Sequence, residues 1–432
     1  MDHLGLDLGT TTISAAVLDA DGRLLCTRTV PGGAAVAGQP WERKQDARGI
    51  EHAALSLLDG LLQEFPDIGC VGLTGQMHGI VYVDAAGQLL SPLYTWQDET
   101  GAQPGPDGKS TAARLTARTG YPLASGYGLV TLACHQAAGT IPDGAAAVCT
   151  IADYLAMRLS GRSAPCLTPS MAASLGLFDG TGFDREAVRR AGLPERLLPE
   201  VSEEAELGSG RLRVFAALGD NQASFLGAGH GRLDAPLVNI GTGSQFSFFT
   251  KERLTVPGLE TRPFPGGWLL TGAPLCGGRS FALLERFFRQ TAELVTGTPC
   301  PSAYPAMLRA LEAPMPDDVP QFRTTFAGTR QDPAERAVLS GLDEENFAPV
   351  PLLHALLRGM ADELSACYRA TLKAGCAPAG RLLGSGNGLR RNPALQRAVE
   401  RSFGLPLTLA AVPEEAACGA ALFTRMQHEA AL

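Results

Sequence analysis

The sequence predicts an α/β protein that contains two similar domains. Two strand-turn-strand segments rich in glycine, threonine and serine begin near residues 4 and 237, and strands alternate with helices after each of them. A chain of 432 residues is longer than one ordinary core and suits two domains. Hydrophobic residues make up 45% of the chain, which is ample for burial.

The first of these segments, residues 4–12, reads LGLDLGTTT. Its apolar run places Asp7 near the end of a buried strand, and Gly9 allows a tight reversal into a second strand. At such a turn the free N–H groups and the hydroxyls of residues 10–12 can surround phosphate oxygens, while Asp7 can hold a hydrated Mg²⁺ between them. An ordinary hairpin explains the same pattern, but a second copy of the motif favours the phosphate site.

The second copy spans residues 237–247 and reads LVNIGTGSQFS. An apolar strand again runs into a glycine-rich turn and returns as another strand. Two such hairpins predict two domains that face one another with a polyphosphate between them. This arrangement resembles the ATPase superfamily that includes actin, heat-shock ATPases and sugar kinases.

The charge and the cysteine pattern argue against several classes of protein. The formal net charge is −8, so the chain lacks the basic composition typical of nucleic-acid-binding proteins. No run of about 18 apolar residues and no signal peptide is visible, and we expect a cytoplasmic protein without a membrane partner. The ten cysteines are scattered without a C-x-x-C pair, which predicts reduced thiols rather than disulfides or a structural zinc site.

The N-terminal half continues with a helix, a strand and a polar loop. Apolar residues at helical spacing predict a helix over 46–65, and CVGLT at 70–74 predicts the strand that follows. Residues 76–78 (Gln-Met-His) then lie between two glycines, before a returning strand at 80–83. Ligands often bind at such a carboxyl end of a strand, although a solvated His is the ordinary alternative. The glycines favour a ligand, because they let the backbone approach it closely.

The segment TWQD at 95–98 combines an aromatic ring with a carboxylate. Trp96 offers a flat apolar face and Asp98 an acceptor, a combination suited to a sugar. A core tryptophan followed by a helix-capping Asp is the alternative, and for this segment alone it is the better one. The elements predicted next are a loop at 100–111, helices near 111–119, 129–138 and 151–160, and a cleft-covering region at 168–184.

A strand and a helix meet just before the second hairpin. The apolar strand over 213–218 stops at Gly219, and Asp220 begins a helix with Asn221 and Gln222 in its first turn. Asp is a common helix cap, and this role explains Asp220 adequately. Its position before the second phosphate hairpin favours a second interpretation, in which its carboxylate receives a hydroxyl proton.

The C-terminal half repeats the alternation of strands and helices. The sequence GSGNG at 384–388 predicts a glycine-rich turn against which a flat base can lie, and therefore an adenine site. The other predicted elements are a strand at 268–272, a helix opened by Gly277 and Gly278, a surface excursion at 299–320, a helical or loop segment at 330–342, a long helix at 351–375, a helix from Asn392–Pro393, a strand at 407–410 and a helix at 414–426.

The order and spacing of these motifs are more specific than any one of them. Across essentially its whole length the sequence resembles the FGGY family of carbohydrate kinases. The matching segments are LGLDLGTTT at 4–12, GQMHG at 75–79, TWQD at 95–98, ALGDNQAS at 217–224, NIGTGSQ at 239–245, GSGNGLRRNP at 384–393 and EEAACGAAL at 414–422. GQMHG is shared by xylulokinase-like and sedoheptulokinase-like members, whereas TWQD followed by ALGDNQAS is more similar to the sedoheptulokinase branch.

The resemblance implies two ribonuclease-H-like domains of the actin-like ATPase superfamily, with a nucleotide cleft between them. Residues 1–228 would form the N-terminal domain, which carries the sugar side and the first phosphate hairpin. Residues 229–432 would form the C-terminal domain, which carries the second hairpin and the adenosine site. ATP and Mg²⁺ are the implied cofactors, and a sugar is the implied partner. We expect a monomer or homodimer.

The same resemblance gives each motif residue a role. Asp220 is the implied catalytic base, and Asp7 supports Mg²⁺. The implied sugar-binding residues are Gln76, Met77, His78, Trp96, Asp98 and Asn221. The implied nucleotide-binding residues are Gly9, Thr10, Thr11, Gly241, Thr242, Gly243 and Ser244 at the phosphates, and Gly278, Gly384, Ser385, Gly386 and Asn387 near adenosine.

The implied reaction transfers the γ-phosphoryl group of ATP to the terminal primary hydroxyl of a ketose. Sedoheptulose, giving sedoheptulose 7-phosphate, is the expected substrate, and D-xylulose or another ketose or polyol is the alternative. A non-catalytic nucleotide switch similar to actin is a more remote alternative. The sugar-like cluster within residues 76–98 argues against such a switch.

Overall fold

The computed structural model describes residues 1–209, 212–274, 277–329, 332 and 334–430. The chain forms two compact units. The first contains residues 1–231, 263–265 and 412–432, and the second contains residues 232–262 and 266–411. The C-terminal segment therefore packs within the first unit, whereas the predicted division at residue 228 assigns it to the second domain.

The strands of the described chain are mostly short. They are β1 (Asp2–Leu8), β2 (Thr12–Leu18), β3 (Leu24–Pro31), β4 (Ala35–Val36), β5 (Lys44–Gln45), β6 (Ile68–Gly75), β7 (Val81–Val83), β8 (Leu93–Tyr94), β9 (Ala147–Cys149), β10 (Cys166–Leu167), β11 (Glu200–Val201), β12 (Glu206–Ser209), β13 (Arg213–Phe215), β14 (Leu218–Gly219), β15 (Leu237–Ile240), β16 (Ser244–Thr250), β17 (Glu260–Phe264), β18 (Gly267–Gly272), β19 (Gln321–Arg323), β20 (Val338–Ser340), β21 (Leu382–Ser385) and β22 (Leu407–Leu409).

The helices of the described chain are α1 (Ala47–Glu64), α2 (Thr111–Thr119), α3 (Gly128–Ala138), α4 (Ile151–Ser160), α5 (Pro169–Leu175), α6 (Arg185–Ala191), α7 (Asp220–Ala228), α8 (Gly278–Thr296), α9 (Tyr304–Ala310), α10 (Pro349–Lys373), α11 (Asn387–Arg390), α12 (Pro393–Phe403) and α13 (Glu415–Ala430). Nine of the helices in the described chain lie close to predicted ones, whereas α5, α6, α9 and α11 were not predicted. Side-chain caps explain several of the starts. For example, Asp46 accepts a backbone N–H at the start of α1, and Asn392 does so at the start of α12.

The first unit is organised around a mixed sheet in the order β12-β13-β6-β1-β2-β3, with β14 also paired to β6. β1 pairs antiparallel with β2 and parallel with β6, and β6 pairs parallel with β13 and β14. β6 is buried almost throughout, as expected for a central strand that is covered on both faces. Because these strands are parallel, the carboxyl ends of β1, β6 and β14 lie at one edge of the sheet.

The second unit is organised around a sheet in the order β17-β18-β16-β15-β21-β22. β15 pairs antiparallel with β16 and parallel with β21, which repeats the pairing of β1 with β2 and β6. The long helix α10 and the helix α12 cover this sheet, and their apolar residues form its core with Phe246 and Ile240. Both hairpins that the glycine motifs predicted are confirmed.

Three predicted segments differ from the structure. β7 does not return beside β6 but pairs antiparallel with β9. The excursion at 299–320 contains α9, and the segment at 330–342 contains β20, which pairs with β19. Residues 330, 331 and 333 of that segment lie outside the described residues. The two strand differences arise because a short apolar segment does not specify its distant partner.

Helix α13 packs closely on the first unit, because glycines let the backbones touch. A Cβ atom on Gly5 of β1 would lie 1.9 Å from the carbonyl oxygen of Ala417, and one on Gly419 would lie 1.8 Å from that of Ala223 in α7. The small residues at 416–421 of the predicted helix therefore permit close packing. This packing joins the end of the chain to the helix that begins with Asp220.

The described part of the chain contains neither a candidate membrane span nor a disulfide. No helix among the described residues has the length and apolar character that crossing a membrane requires. The nine cysteines among them are free thiols. Cys276 lies outside the described residues.

Candidate active site

Three polar segments meet at the carboxyl edge of the first sheet. Leu8 of β1 pairs in register with Gly75 of β6, which pairs with Gly219 of β14. The chain leaves these strands as the first hairpin turn, the 76–78 loop and helix α7. The Gln76 N–H donates to the Leu8 carbonyl oxygen at 3.0 Å, which joins the first two segments directly. Parallel pairing therefore brings together residues that lie far apart in the sequence.

Gly9 makes the first hairpin turn possible. A Cβ atom at this position would lie 2.9 Å from the Thr12 carbonyl oxygen, so a larger residue would disturb the turn. Thr11 and Thr12 are exposed, and Thr10 is half-buried. The hydroxyls that the sequence assigned to phosphate therefore lie on an accessible turn.

Asp220 occupies the first position of α7, and Gly219 is the N-cap residue. The N-cap position, which the helix-cap interpretation assigned to Asp220, is therefore occupied by Gly219. Two hydroxyls hold the turn before the helix. Ser170 accepts the Gly219 N–H at 3.1 Å, and Thr168 donates to the Ala217 carbonyl oxygen at 2.7 Å. These bonds fix the residue that carries the carboxylate at the edge of the sheet.

The environment of Asp7 fits a cation. Asp7 Oδ1, the Thr74 hydroxyl and Gln76 Oε1 are buried and have no hydrogen-bond partner. Burial, followed by the negative charges of Asp220 and Glu414, raises the pKa of Asp7 to about 7. Clustered carboxylates and enclosed oxygens suit a hard divalent cation. No group of three His, Cys, Asp or Glu side chains among the described residues could hold a metal directly, so water and phosphate oxygens would complete the shell of Mg²⁺.

Gln45 was not predicted, yet it connects two of the segments. Its Nε2 donates to the Thr10 carbonyl oxygen at 2.7 Å, and its Oε1 accepts from Gln76 Nε2 at 2.9 Å. These bonds orient the Gln76 amide and tie the 76–78 loop to the first hairpin turn. A lone Gln in the sequence KQD has no characteristic spacing, so no pattern could have identified it.

His78 is held in a defined orientation. Its φ of 72° lies in the left-handed region, and its N–H donates to Ser174 Oγ at 3.1 Å. Its ring stacks on Tyr127, with centroids 4.7 Å apart and planes 9° apart. Nδ1 lies 2.6 Å from the Ser174 carbonyl oxygen, which can only accept, so the neutral ring carries its proton there. Nε2 is then an acceptor, which suits a sugar hydroxyl.

Ser174 and Tyr127 therefore position His78, although the sequence assigned neither of them to the site. Ser174 lies within the predicted cleft-covering region at 168–184. Its contribution depends on α5 lying against the loop, and this contact joins residues 96 positions apart. Sequence spacing contains no signal for such a contact.

Trp96 is not a core residue, because 47% of its surface is exposed. Its indole N–H donates to the Thr10 hydroxyl at 3.0 Å, so a predicted sugar residue touches a predicted phosphate residue. Asp98 is buried, and its carboxylate oxygens accept the backbone N–H groups of Arg43 and Thr100, each at 2.9 Å. Asp98 thus holds the loop that carries Trp96, and its predicted contact with sugar stays a prediction.

Met77 and Asn221 lie on either side of the start of α7. Met77 is buried, and its Cε atom would lie 2.9 Å from a Cβ atom on Gly219. Asn221 is the second residue of α7 and is half-buried. Both predicted sugar residues are therefore within the group that surrounds the edge of the sheet.

The second unit assembles its own predicted residues around the turn between β15 and β16. The Gly278 N–H donates to the Gly241 carbonyl oxygen at 2.8 Å. A Cβ atom on Gly277 would lie 2.4 Å from the carbonyl carbon of Gly243, so α8 begins in backbone contact with the turn. Thr242 and Gly243 are exposed, and no residue that the structure describes lies within 4 Å of a Cβ atom built on Gly243. The predicted phosphate turn is therefore accessible.

The glycine-rich turn after β21 lies beside the same hairpin. Ser385 pairs in register with Asn239 of β15. Gly386 has a φ of 87°, and a Cβ atom there would lie 2.5 Å from the Ile240 carbonyl oxygen. Asn387 begins α11 and is exposed. The residues predicted at phosphate and near adenosine are thus neighbours in this unit.

Comparisons with known proteins identify the family. The model of the FGGY family of carbohydrate kinases, N-terminal domain, matches residues 3–235, and that of the C-terminal domain matches residues 237–428. The chain belongs to the FGGY family of carbohydrate kinases. The sedoheptulokinase of Mus musculus is 29% identical to this FGGY kinase, and the match covers 97% of this chain and 96% of the relative. The xylulose kinase of Streptomyces coelicolor is 25% identical, with coverage of 97% and 86%.

A solved structure shows the same fold. The xylulose kinase from Rhodospirillum rubrum has a TM-score of 0.82 to this FGGY kinase at 22% sequence identity. The match covers 99% of this chain and 90% of that chain. The predicted fold class is thus confirmed, and so is the enzyme class, a phosphotransferase that acts on a sugar hydroxyl. Membership of a kinase family also disfavours the nucleotide-switch alternative.

Proposed function

We propose that this FGGY kinase transfers the γ-phosphoryl group of ATP to the terminal primary hydroxyl of sedoheptulose, giving sedoheptulose 7-phosphate. The observation that carries the substrate assignment is the match to the sedoheptulokinase of Mus musculus, at 29% identity over 97% of this chain. Xylulose is the second candidate substrate, because the xylulose kinase of Streptomyces coelicolor reaches 25% over the same share.

Asp220 is the proposed general base. The hydroxyl oxygen of the ketose attacks the γ-phosphorus and its proton passes to the Asp220 carboxylate. The bond from the γ-phosphorus to the bridging oxygen then breaks, and ADP leaves. The first position of α7 supports this role, because it places the carboxylate at the sheet edge, where the proposed sugar residues also lie.

The carboxylate of Asp7 is proposed to hold Mg²⁺ through water. When bound, Mg²⁺ neutralises the phosphate charge that spreads during transfer. The raised pKa of Asp7 supports this assignment, since a cation nearby would offset the charges of Asp220 and Glu414 and favour the ionised carboxylate.

The proposed sugar site lies around the sheet edge of the first unit. Trp96 offers an exposed ring face for the C–H groups of the sugar, and His78 Nε2 accepts a hydroxyl. Gln76 Oε1 is a second buried acceptor. The full set of proposed sugar residues is Gln76, Met77, His78, Trp96, Asp98 and Asn221.

The nucleotide residues are proposed in both units. The accessible turns between β1 and β2 and between β15 and β16 offer backbone N–H groups and hydroxyls to phosphate oxygens. The set for phosphate is Gly9, Thr10, Thr11, Gly241, Thr242, Gly243 and Ser244, and the set near adenosine is Gly278, Gly384, Ser385, Gly386 and Asn387.

Steady-state kinetics test the substrate assignment. We expect the kcat/KM for sedoheptulose to exceed that for xylulose, with ribulose and glycerol as further comparisons and ADP release as the readout. A clear preference for xylulose or glycerol would overturn the assignment and leave the family unchanged. Thermal shift with an ATP analogue and each ketose gives an independent check, because a bound substrate stabilises the folded protein.

A further inference from the structure

A cavity of about 400 Å³ lies in the second unit, between α10, α12 and the segment near Glu312. None of the residues proposed for phosphate or adenosine lines it. Its volume falls within the range of cavities that bind small molecules. Its walls combine apolar side chains with several charged ones, so it has the composition of a binding site for a polar metabolite.

Three arginines line this cavity. They are Arg358 of α10, and Arg397 and Arg401 of α12. Arg358 donates to the carbonyl oxygens of Val319 and Pro320 and Arg397 donates to that of Leu311, so backbone holds both side chains in place.

None of the three arginines forms an ion pair within the described part of the chain. Two carboxylates also line the cavity, those of Glu312 and Asp362, and Asp362 accepts the Ser402 hydroxyl at 2.7 Å. The charged side chains that line the cavity thus have a net positive charge. Backbone contacts orient the guanidinium donors of Arg358 and Arg397. Planar arginine forks of this kind recognise carboxylates and phosphates.

His354 provides the second observation that points to a ligand. It lines the cavity and is only 5% exposed, and its Nε2 is buried without a hydrogen-bond partner. Leaving a buried polar atom unpaired costs free energy, so a ligand that bonds to Nε2 would recover it.

We propose that this cavity binds a small organic anion with at least two negative charges, either a phosphate monoester or a polycarboxylate. Arg397 and Arg401 line the site from α12, and Arg358 and His354 line it from α10. His354 donates a hydrogen bond from Nε2 once its ring has taken up a proton. This site is separate from the ATP and sugar residues proposed above, and its occupant is neither substrate of the kinase reaction.

Binding to this cavity should depend on pH. Burial, followed by the positive charges of Arg397 and Arg401, lowers the pKa of His354. A bound dianion offsets those charges and raises the pKa, so His354 takes up a proton on binding. Asp362 on the same helix and Glu312 opposite also face the cavity and oppose the arginine charges. We expect about 3- to 10-fold tighter binding at about pH 6 than at about pH 8.

Isothermal titration calorimetry of the full chain tests the proposal. The probes are 3-phosphoglycerate and citrate, each titrated with a saturating non-hydrolysable ATP analogue present so that the phosphate turns of the reaction are occupied. Binding of 3-phosphoglycerate alone would identify a phosphate monoester as the ligand class. Binding of citrate alone would identify a polycarboxylate, and binding of both would support the shared anion chemistry.

Matched variants locate the binding. Arg401 is exposed and its only described polar contact is with the Met315 sulfur at 3.8 Å, so Arg401→Gln should fold. It should weaken binding roughly 5- to 10-fold, because it removes a charge-assisted hydrogen bond. Arg401→Lys should retain part of the affinity, and Arg286→Gln, an exposed arginine of α8 outside the cavity, should leave it unchanged. If neither probe binds at millimolar concentration, the proposal is overturned. Binding that Arg401→Gln and Arg397→Gln leave unaltered would overturn it as well.

Discussion

Asp220 is the residue on which the proposed chemistry depends most directly. Its position after an N-cap glycine separates it from the ordinary caps of this protein, such as Asp184, which accepts the Ala187 N–H at the start of α6. Asp220 is the first helical residue of α7 rather than its N-cap. This difference makes the two aspartates a natural pair for mutation.

Asp220→Asn should abolish most of the activity and preserve the fold. Asn keeps the size and the hydrogen-bonding oxygen but cannot take a proton at neutral pH. General-base assistance is typically worth about 10² to 10⁴ in rate, so we expect kcat to fall at least that far. Calorimetry should show that sugar and ATP still bind. Asp184→Asn is the control and should retain the parent kcat. If Asp220→Asn turns over within a few-fold of the parent, the proton leaves by another route.

Asp153 gives a prediction about pH and stability. It is fully buried in α4, its Oδ2 accepts the Thr150 hydroxyl at 2.7 Å, and burial raises its pKa to about 7. Because this pKa lies above the unfolded value of 3.8, the stability that protonated Asp153 supports is complete at pH values below 3.8 and is lost as the pH rises through about 7.

Asp153→Asn removes this titration. The free energy of unfolding of the variant, relative to that of the parent, should rise by about 2–3 kcal/mol between about pH 5 and about pH 8. Urea denaturation across this pH range measures the difference. The KM for ATP should not change, since Asp153 lies apart from the proposed site. If the difference in free energy of unfolding between variant and parent does not change with pH, Asp153 is ionised in the folded protein over the whole pH range.

At the scale of elements, the turn between β15 and β16 can be tested separately from the fold. Among the described residues, none lies within 4 Å of a Cβ atom on Gly243, so a side chain has room there. Gly243→Val should therefore fold, while its side chain occupies the place where backbone would meet phosphate. We expect the KM for ATP to rise at least about tenfold, the loss of roughly one hydrogen bond to a charged group, with little change in sugar binding.

Gly380→Val is the matched control for this turn. Gly380 belongs to the same unit, is exposed, and also has nothing within 4 Å of a Cβ atom. Kinetics of this control should match those of the parent. Unchanged KM for ATP and unchanged kcat in Gly243→Val would remove the turn from the mechanism.

At the scale of the whole molecule, the last helix of the chain completes the first unit. α13 lies against β1, β6 and α7, and Gly419 brings it into backbone contact with α7 at Ala223. A methyl group at Gly419 has no space, because its Cβ would lie 1.8 Å from the Ala223 carbonyl oxygen. The end of the chain therefore supports the helix that carries Asp220.

Gly419→Ala should destabilise the protein by about 2–4 kcal/mol, since overpacking of a close backbone contact forces one helix to move. Gly419→Ala should also reduce kcat, because a shift of α13 would move α7, which carries Asp220. Gly60→Ala in α1, where nothing surrounds the new methyl group, should instead stabilise the protein by about 0.5–1 kcal/mol. Chemical denaturation of the three proteins measures both effects. Equal stability of Gly419→Ala and the parent would show that the two helices do not pack as described.

Local sequence patterns were sufficient to predict much of this protein. Residues that lie close together along the chain predict the hairpins at Gly9 and Gly243 and the helix starts at Asp46 and Asn392. Glycine conformation, capping and hydrophobic periodicity act over a few residues, so a sequence records them directly. The motif order then indicated the family that the comparisons confirm.

Long-range pairing was beyond such patterns. β7 pairs with β9 rather than with β6, and the C-terminal segment returns to the first unit. Predicted site residues are held in place by Gln45, Ser174 and Tyr127. The sequence around each of these three residues gives no indication of that role. Only the tertiary structure shows that Gly219 is the N-cap of α7 and that His78 carries its proton on Nδ1. It also shows that neighbouring carboxylates raise the pKa of Asp7. Hydrogen-bond directions and charge separations depend on segments that are distant along the chain, and sequence spacing does not contain those distances.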